Sequence, residues 1–218
     1  SRNPIHKATK QRDPMSPLLL LTVTLGTDAA TPTSELSVQT PQKVELPESA
    51  VAQIYSDFPR DCDKDQSEER GIQAERLDGN TVLIAVVCGV YAYNASTLYF
   101  TQTADQAPKR LPLLLPAFRF HLEKRGDVEH TIIDSVDEMR PVDVLYNTHY
   151  DPSTQTLSSY NKHRGVGDAF TQASWRWEGD AGFQLVNYAV DNSLDGQLTA
   201  TTIYPQQPVP VEHTPATP

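Results

Sequence analysis

A basic segment followed by two glycines has the residue types of a binding loop. Lys162, His163 and Arg164 precede Gly165-Val166-Gly167-Asp168. Glycine allows positive φ, and the exposed N–H groups of such a loop can hold an anion beside the cationic side chains. The segment is not G-x-G-x-x-G, and the alternative is a solvated turn in which the glycines only reverse the chain. The residues that we predict to bind are Tyr160, Lys162, Arg164, Gly165, Gly167 and Asp168.

The same region contains side chains of the types that hydrolases use. A nucleophile needs a base beside it and a third group that orients the base. Ser158, His149, His163 and Asp168 are the candidates by type. However, G-x-S-x-G is absent and Ser158 lies in the middle of a predicted strand. We therefore predict no catalytic residue, and a hydrolase that uses His149 or His163 with Asp168 remains the alternative.

The sequence contains no complete pattern of metal-binding residues. The six histidines are scattered, with no His-x-x-x-His, and there is no Cys-x-x-Cys. Asp61, Asp63 and Asp65 alternate as in a calcium loop, but the required glycine is missing. We predict neither a metal nor a cofactor, and we interpret residues 60–70 as a solvated charged loop.

Trp175 and Trp177 are two residues apart, so on a strand they would share one face. Such a pair could stack against a sugar or a peptide. Aromatic side chains contribute mainly to protein cores, however, and we favour a core position for both. A hairpin loop at residues 178–182 should then lead into a returning strand at residues 183–189.

This part of the chain resembles a secreted proteobacterial family known as domain of unknown function eleven-seventy-six. The family signature reads roughly L-S-S-[FY]-x-K-x-R-G-[ILV]-G-D-C-G followed by W-x-W, and residues 157–177 read LSSYNKHRGVGDAFTQASWRW. Residues 76–94 are also similar, as are residues 146–157 with their N-x-x-[FY]-D-P-x-T-x-x-L pattern. The resemblance covers most of residues 57–196. It implies a periplasmic or secreted protein, and the family has no assigned activity.

The resemblance also concerns the two cysteines, Cys62 and Cys88. Family members usually carry two more, one at the position of Ala169 and one late in the chain, and this chain lacks both. The resemblance therefore implies that the missing pair is bonded in the family and that Cys62 and Cys88 form the remaining disulfide. A disulfide would indicate an oxidising compartment such as the periplasm. The alternative is two free thiols, with Cys88 buried.

Length and charge limit the class of protein and partner. The chain has 218 residues and a formal net charge of −10, which argues against nucleic acid and anionic membranes as main partners. No span is long enough for a transmembrane helix. The apolar residues 18–25 follow Pro14 and Pro17, and we interpret them as a buried strand and not as a leader sequence.

Short apolar or alternating segments separated by turns predict a mainly β protein, an antiparallel meander or sandwich with one short helix. The helix is expected at residues 47–58, between Pro47 and Pro59. Residues 81–88 are apolar throughout and predict a central strand. Residues 142–150 and 156–162 should form a hairpin around a turn at 151–154. Other strands are expected at residues 35–39, 97–102, 118–123, 131–136 and 198–204.

We predict three regions. Residues 1–16 are a polar N-terminal arm, residues 17–204 a single β-rich domain, and residues 205–218 a Pro-rich disordered tail. The preferred function is a non-enzymatic binding module of the envelope, of which an inhibitor or immunity-type role is one form, with a protein or glycan partner. A purely structural β-scaffold fragment is a further alternative to the hydrolase. The sequence does not indicate an oligomeric state.

Overall fold

The computed structural model describes residues 43–60 and 62–205. The predicted arm at residues 1–16, the strands predicted at residues 18–25 and 35–39, and all but the first residue of the predicted tail lie outside these residues. Two α-helices, a short 3-10 helix at Gly179–Ala181 and twelve strands are described. The strands, in chain order, are β1 (Ile72–Arg76), β2 (Thr81–Val90), β3 (Ala95–Thr103), β4 (Lys109–Arg110), β5 (Leu113–Arg125), β6 (Val128–Val142), β7 (Val144–Tyr146), β8 (His149–Asp151), β9 (Thr156–Lys162), β10 (Phe170–Trp177), β11 (Phe183–Asp191) and β12 (Thr201–Tyr204).

The strands form two five-stranded antiparallel sheets and one long hairpin. The first sheet has the order β1-β2-β3-β4, and β7 also pairs with β3. The second has the order β12-β11-β10-β9-β8, and β5 and β6 form the hairpin. This architecture confirms the predicted mainly β, antiparallel fold.

The predicted helix is present, and a second helix was missed. Helix α1 (Glu48–Ser56) follows Pro47 and buries Ala50 and Ile54. Helix α2 (Lys64–Arg70) lies where a solvated loop was predicted, so that interpretation was wrong. The carboxylate of Asp63 accepts a hydrogen bond from the Gln66 backbone N–H at 3.0 Å. Asp-x-x-Gln is a capping pattern, and it was overlooked because the segment has no apolar stripe.

The predicted strand at residues 142–150 is two strands in different sheets. Asn147 has φ +43, and it separates β7 in the first sheet from β8 in the second. A left-handed residue interrupts the alternation, so the prediction of one continuous strand was wrong. The hairpin itself is confirmed, because β8 pairs with β9 and places His149 opposite Ser158.

The main core lies where the two sheets and the hairpin meet. It includes Leu83 and Tyr99 from the first sheet and Leu157 and Trp175 from the second. Trp175 is fully buried, and its indole Nε1–H donates to the Leu114 carbonyl at 3.0 Å. Trp177 is partly buried against the same cluster. The core interpretation of the tryptophan pair is thus confirmed.

A second core cluster lies on the other face of the first sheet, where Ile54 of α1 packs with Ile84 and Phe100. At its margin Cys62 and Cys88 form the expected disulfide, with their Cα atoms 4.6 Å apart. The disulfide attaches the segment before α2 to the central strand β2. Within the described residues, no helix is both long and apolar enough to cross a membrane.

Candidate functional site

The predicted binding loop is closed by an ion pair. The guanidinium of Arg164 hydrogen-bonds both carboxylate oxygens of Asp168. Asp168 is only 2% exposed and also accepts the Gly196 N–H at 2.9 Å. These contacts, the Arg164 hydrogen bond above all, lower the pKa of Asp168 to about 2. Asp168 is therefore an ionised carboxylate that stabilises the loop.

The other predicted residues lie around this pair. The Tyr160 hydroxyl donates to the Gly167 carbonyl at 3.2 Å. Its ring packs on Phe170, with 4.9 Å between the ring centroids. Gly167 has φ +81, a conformation that favours glycine. Tyr160 and Gly167 thus shape the loop, while the Arg164 side chain remains 40% exposed at its surface. Lys162, at the end of β9, is partly exposed.

Asparagine side chains fasten this loop to the neighbouring turn. The Asn94 Nδ2–H donates to the Lys162 carbonyl at 2.8 Å, and Asn94 Oδ1 accepts the Lys162 N–H at 3.1 Å. Asn147 Nδ2–H donates to Asn94 Oδ1 at 2.7 Å and to the Tyr160 carbonyl at 2.8 Å. Sequence reasoning did not assign these residues a role. The available signal was that both asparagines lie in segments that resemble the family.

Exposed apolar side chains surround the loop. Tyr91 is 57% exposed, Tyr93 42%, Val166 79% and Leu194 60%. A Cβ placed on Gly165 would lie 3.5 Å from the Tyr93 ring. Arg164 Nη2–H donates to the Leu194 carbonyl at 3.0 Å. The surface formed by Tyr91, Tyr93, Lys162, Arg164, Val166 and Leu194 is called the loop surface below.

The candidate hydrolase residues are not joined in the part of the chain that the structure describes. The Ser158 hydroxyl donates to the backbone carbonyl of His149 at 3.1 Å, and no hydrogen bond links it to an imidazole. Asp168 is held by Arg164 and Gly196, and neither His149 nor His163 hydrogen-bonds to it there. The geometry that nucleophilic catalysis needs is therefore not assembled by these side chains.

A cavity of about 300 Å³ lies on the inner face of the first sheet, away from the loop surface. Glu75 of β1, Leu83 of β2 and Tyr99 of β3 line it, together with Thr148 and with His149 and Tyr150 of β8. Sequence reasoning missed this cavity, because it depends on which strands become neighbours. The described residues contain no group of three or more His, Cys, Asp or Glu side chains that could hold a metal ion.

The chain belongs to the family described as "Protein of unknown function (DUF1176)", whose model matches residues 17–204. The resemblance of the signature is thereby confirmed, over a longer range than the signature itself. No curated protein and no solved structure matches the chain.

Proposed function

We propose that this member of the DUF1176 family is an exported, non-enzymatic binding module, and that its loop surface recognises a protein of the bacterial envelope. The observation that carries the proposal is the exposure of apolar side chains on a loop that is held rigidly. Val166 is 79% exposed although Arg164 and Asp168 fix the chain on both sides of it. Exposed apolar side chains in a group are typical of interaction sites.

Rigidity favours binding because less conformational entropy is lost when the partner docks. The asparagine contacts hold the loop against the β2–β3 turn, and the Arg164–Asp168 pair holds its end. Tyrosine and arginine are enriched in the cores of protein interfaces. The loop surface offers two exposed tyrosines beside one arginine, which favours a protein partner over a glycan.

The charge of the loop surface favours a partner that carries an acidic patch. Lys162 is a cation in a chain whose formal net charge is −10, whereas the charge of Arg164 is already paired with Asp168. Such a local reversal of sign orients a partner during encounter and disfavours partners of the wrong charge. An inhibitor or immunity-type module is one form that such a protein can take. The Cys62–Cys88 disulfide supports an oxidising compartment, such as the periplasm.

The test is a comparison of capture by variants that keep the fold. Arg164→Ala is unsuitable, because it would leave the buried Asp168 carboxylate without its cation. Val166→Glu adds a negative charge at an exposed side chain of the loop surface. Leu122→Glu is the matched control, since Leu122 is 42% exposed on the β5–β6 hairpin. Each protein is immobilised, incubated with bacterial envelope extract and analysed by mass spectrometry, and the captured protein is then purified for affinity measurement.

We expect wild type and Leu122→Glu to retain the same protein, and Val166→Glu to bind it at least tenfold more weakly. Lys162→Ala should weaken binding mainly at low salt, because the contribution of an exposed charge is screened. Equal affinity of wild type and Val166→Glu would refute the loop surface as the site. A glycan as the only retained molecule would refute the proposed partner class, and empty capture by all variants would favour the structural-scaffold reading.

A further inference from the structure

The cavity on the inner face of the first sheet contains one acidic side chain, that of Glu75, whose backbone forms a β-bridge with Lys43. The β1 strand alternates, so Ala74 faces the core cluster beneath α1 while Glu75 faces the cavity. Glu75 is paired in register with Leu83, and both line the same space. In the described part of the chain, Glu75 makes no ion pair, and its Oε2 is buried with no hydrogen-bond partner.

A second buried polar atom in this cavity also lacks a partner. The Tyr150 hydroxyl oxygen has none among the described residues. The Tyr99 hydroxyl, by contrast, donates to Thr148 Oγ1 at 2.7 Å. Buried polar atoms in proteins are nearly always hydrogen-bonded, so these two atoms mark a place where a bound polar molecule can supply the missing hydrogen bonds.

The protonation states restrict what that occupant can be. Burial, with a smaller contribution from the Glu75 charge, raises the pKa of Tyr99 to about 12 and that of Tyr150 to about 12. Both hydroxyls are therefore neutral at physiological pH. The Tyr150 hydroxyl can donate or accept, whereas the glutamate carboxylate can only accept. A water molecule can satisfy the hydrogen bonds, whereas a cationic donor satisfies them and also attracts the carboxylate.

The remaining lining is mixed, with Gln73, Thr97 and His149 as its polar members and an apolar part on β2. Leu83, Ala85 and Val87 of β2 form one wall. The cavity volume of about 300 Å³ is at the small end of ligand sites. A complementary molecule has a cationic hydrogen-bond donor at one end and a short hydrocarbon chain at the other.

We propose that this cavity binds a small primary amine, whose ammonium group donates to Glu75 and Tyr150 while its alkyl chain lies against Leu83 and Ala85. The cavity and the loop surface share no residue, so this site is independent of the protein partner proposed above. An ammonium group matches the site because its N–H groups can reach two acceptors and its charge compensates the carboxylate.

The test is a titration of the ¹⁵N-labelled full chain with n-pentylamine, followed by its amide chemical shifts. The neutral analogue 1-pentanol has the same chain and lacks the cation. We expect saturable shifts at residues 73–75, 83–87 and 148–150 with the amine, and at least about tenfold weaker binding of the alcohol. No saturable shift at these residues, or equal binding of the two probes, would overturn the proposal.

Two variants test whether Glu75 and Tyr150 hold the amine. Glu75→Gln removes the charge and keeps the shape, and it should weaken amine binding at least about tenfold. Tyr150→Phe removes only the orphaned hydroxyl, so it should fold normally and weaken binding severalfold. Glu138→Gln is the control for net charge, since the Glu138 side chain is 71% exposed on the hairpin. Amine affinity that is unchanged in Tyr150→Phe, or reduced equally in Glu138→Gln, would overturn the assignment, even if Glu75→Gln failed to fold.

Discussion

Replacing Asn147 with alanine should lower the free energy of unfolding by about 3 kcal/mol. The side chain makes three hydrogen bonds of 2.7–2.9 Å. Its Nδ2–H group donates to Asn94 Oδ1 and to the Tyr160 carbonyl, and its Oδ1 accepts from the Ala95 N–H. Each contributes about 1 kcal/mol, and water can replace part of this at a half-buried position. The backbone has φ +43, which is unfavourable for alanine by about 1 kcal/mol.

Urea unfolding followed by tryptophan fluorescence measures this effect, because both tryptophans lie in or against the main core. Asn80→Ala is the matched control, because Asn80 is exposed in a turn. The free energy of unfolding of this variant should differ from that of the wild type by less than about 0.5 kcal/mol. The slope of the unfolding free energy against urea concentration should be the same for the wild type and both variants. A loss below about 1 kcal/mol for Asn147→Ala would refute the argument that this side chain joins the two sheets.

Two further predictions concern the disulfide and the loop ion pair. The Cys62→Ser/Cys88→Ser variant should lose about 3.5 kcal/mol of unfolding free energy, because the disulfide closes a loop of about 27 residues and so lowers the entropy of the unfolded chain. Dithiothreitol should destabilise the wild type and leave the variant unchanged. Urea unfolding with and without dithiothreitol checks this, and equal sensitivity of the two proteins to the reductant would contradict it. The Asp168 pKa is about 2 in the folded chain against a usual 3.8, so its contribution to stability is fully present above about pH 4 and lost as pH falls toward 2. Thermal unfolding between pH 5 and pH 2 should therefore show a shallower acid dependence for Asp168→Asn than for wild type, and parallel curves would disprove this role.

Strands with a regular pattern could be predicted from the sequence. Residues 156–162 alternate without a breaker, and β9 has those bounds. Residues 81–88 are continuously apolar and form most of the central strand β2, which is covered by core clusters on both faces. In both cases the local pattern and the tertiary environment favour the same conformation, so local reasoning was sufficient.

The errors occurred where one side chain decided the local structure against the average pattern. Helix α2 depends on the cap that Asp63 provides, while its charged residues suggested a loop. The change of sheet at Asn147 depends on a positive φ inside a segment of strand-forming residues. Capping and left-handed conformations are properties of single residues, so a window that averages over several residues does not detect them.

The two candidate sites differ in how much of each could be predicted from the sequence. Residues 160–168 are contiguous, so sequence alone could bring the loop residues together, but it could not show that Arg164 and Asp168 pair with each other. That pairing changes the role of Asp168 from an open binding group to a support for the loop. The cavity combines Glu75, Tyr99 and Tyr150, which are distant in sequence and meet only because β1 and β8 lie at the edges of sheets that share one core. A single glutamate on an edge strand looks like an ordinary solvent-facing residue until the opposite sheet is placed. Its Oε2 atom is then buried without a hydrogen-bond partner among the described residues, which is the physical basis for expecting a ligand with a cationic donor there.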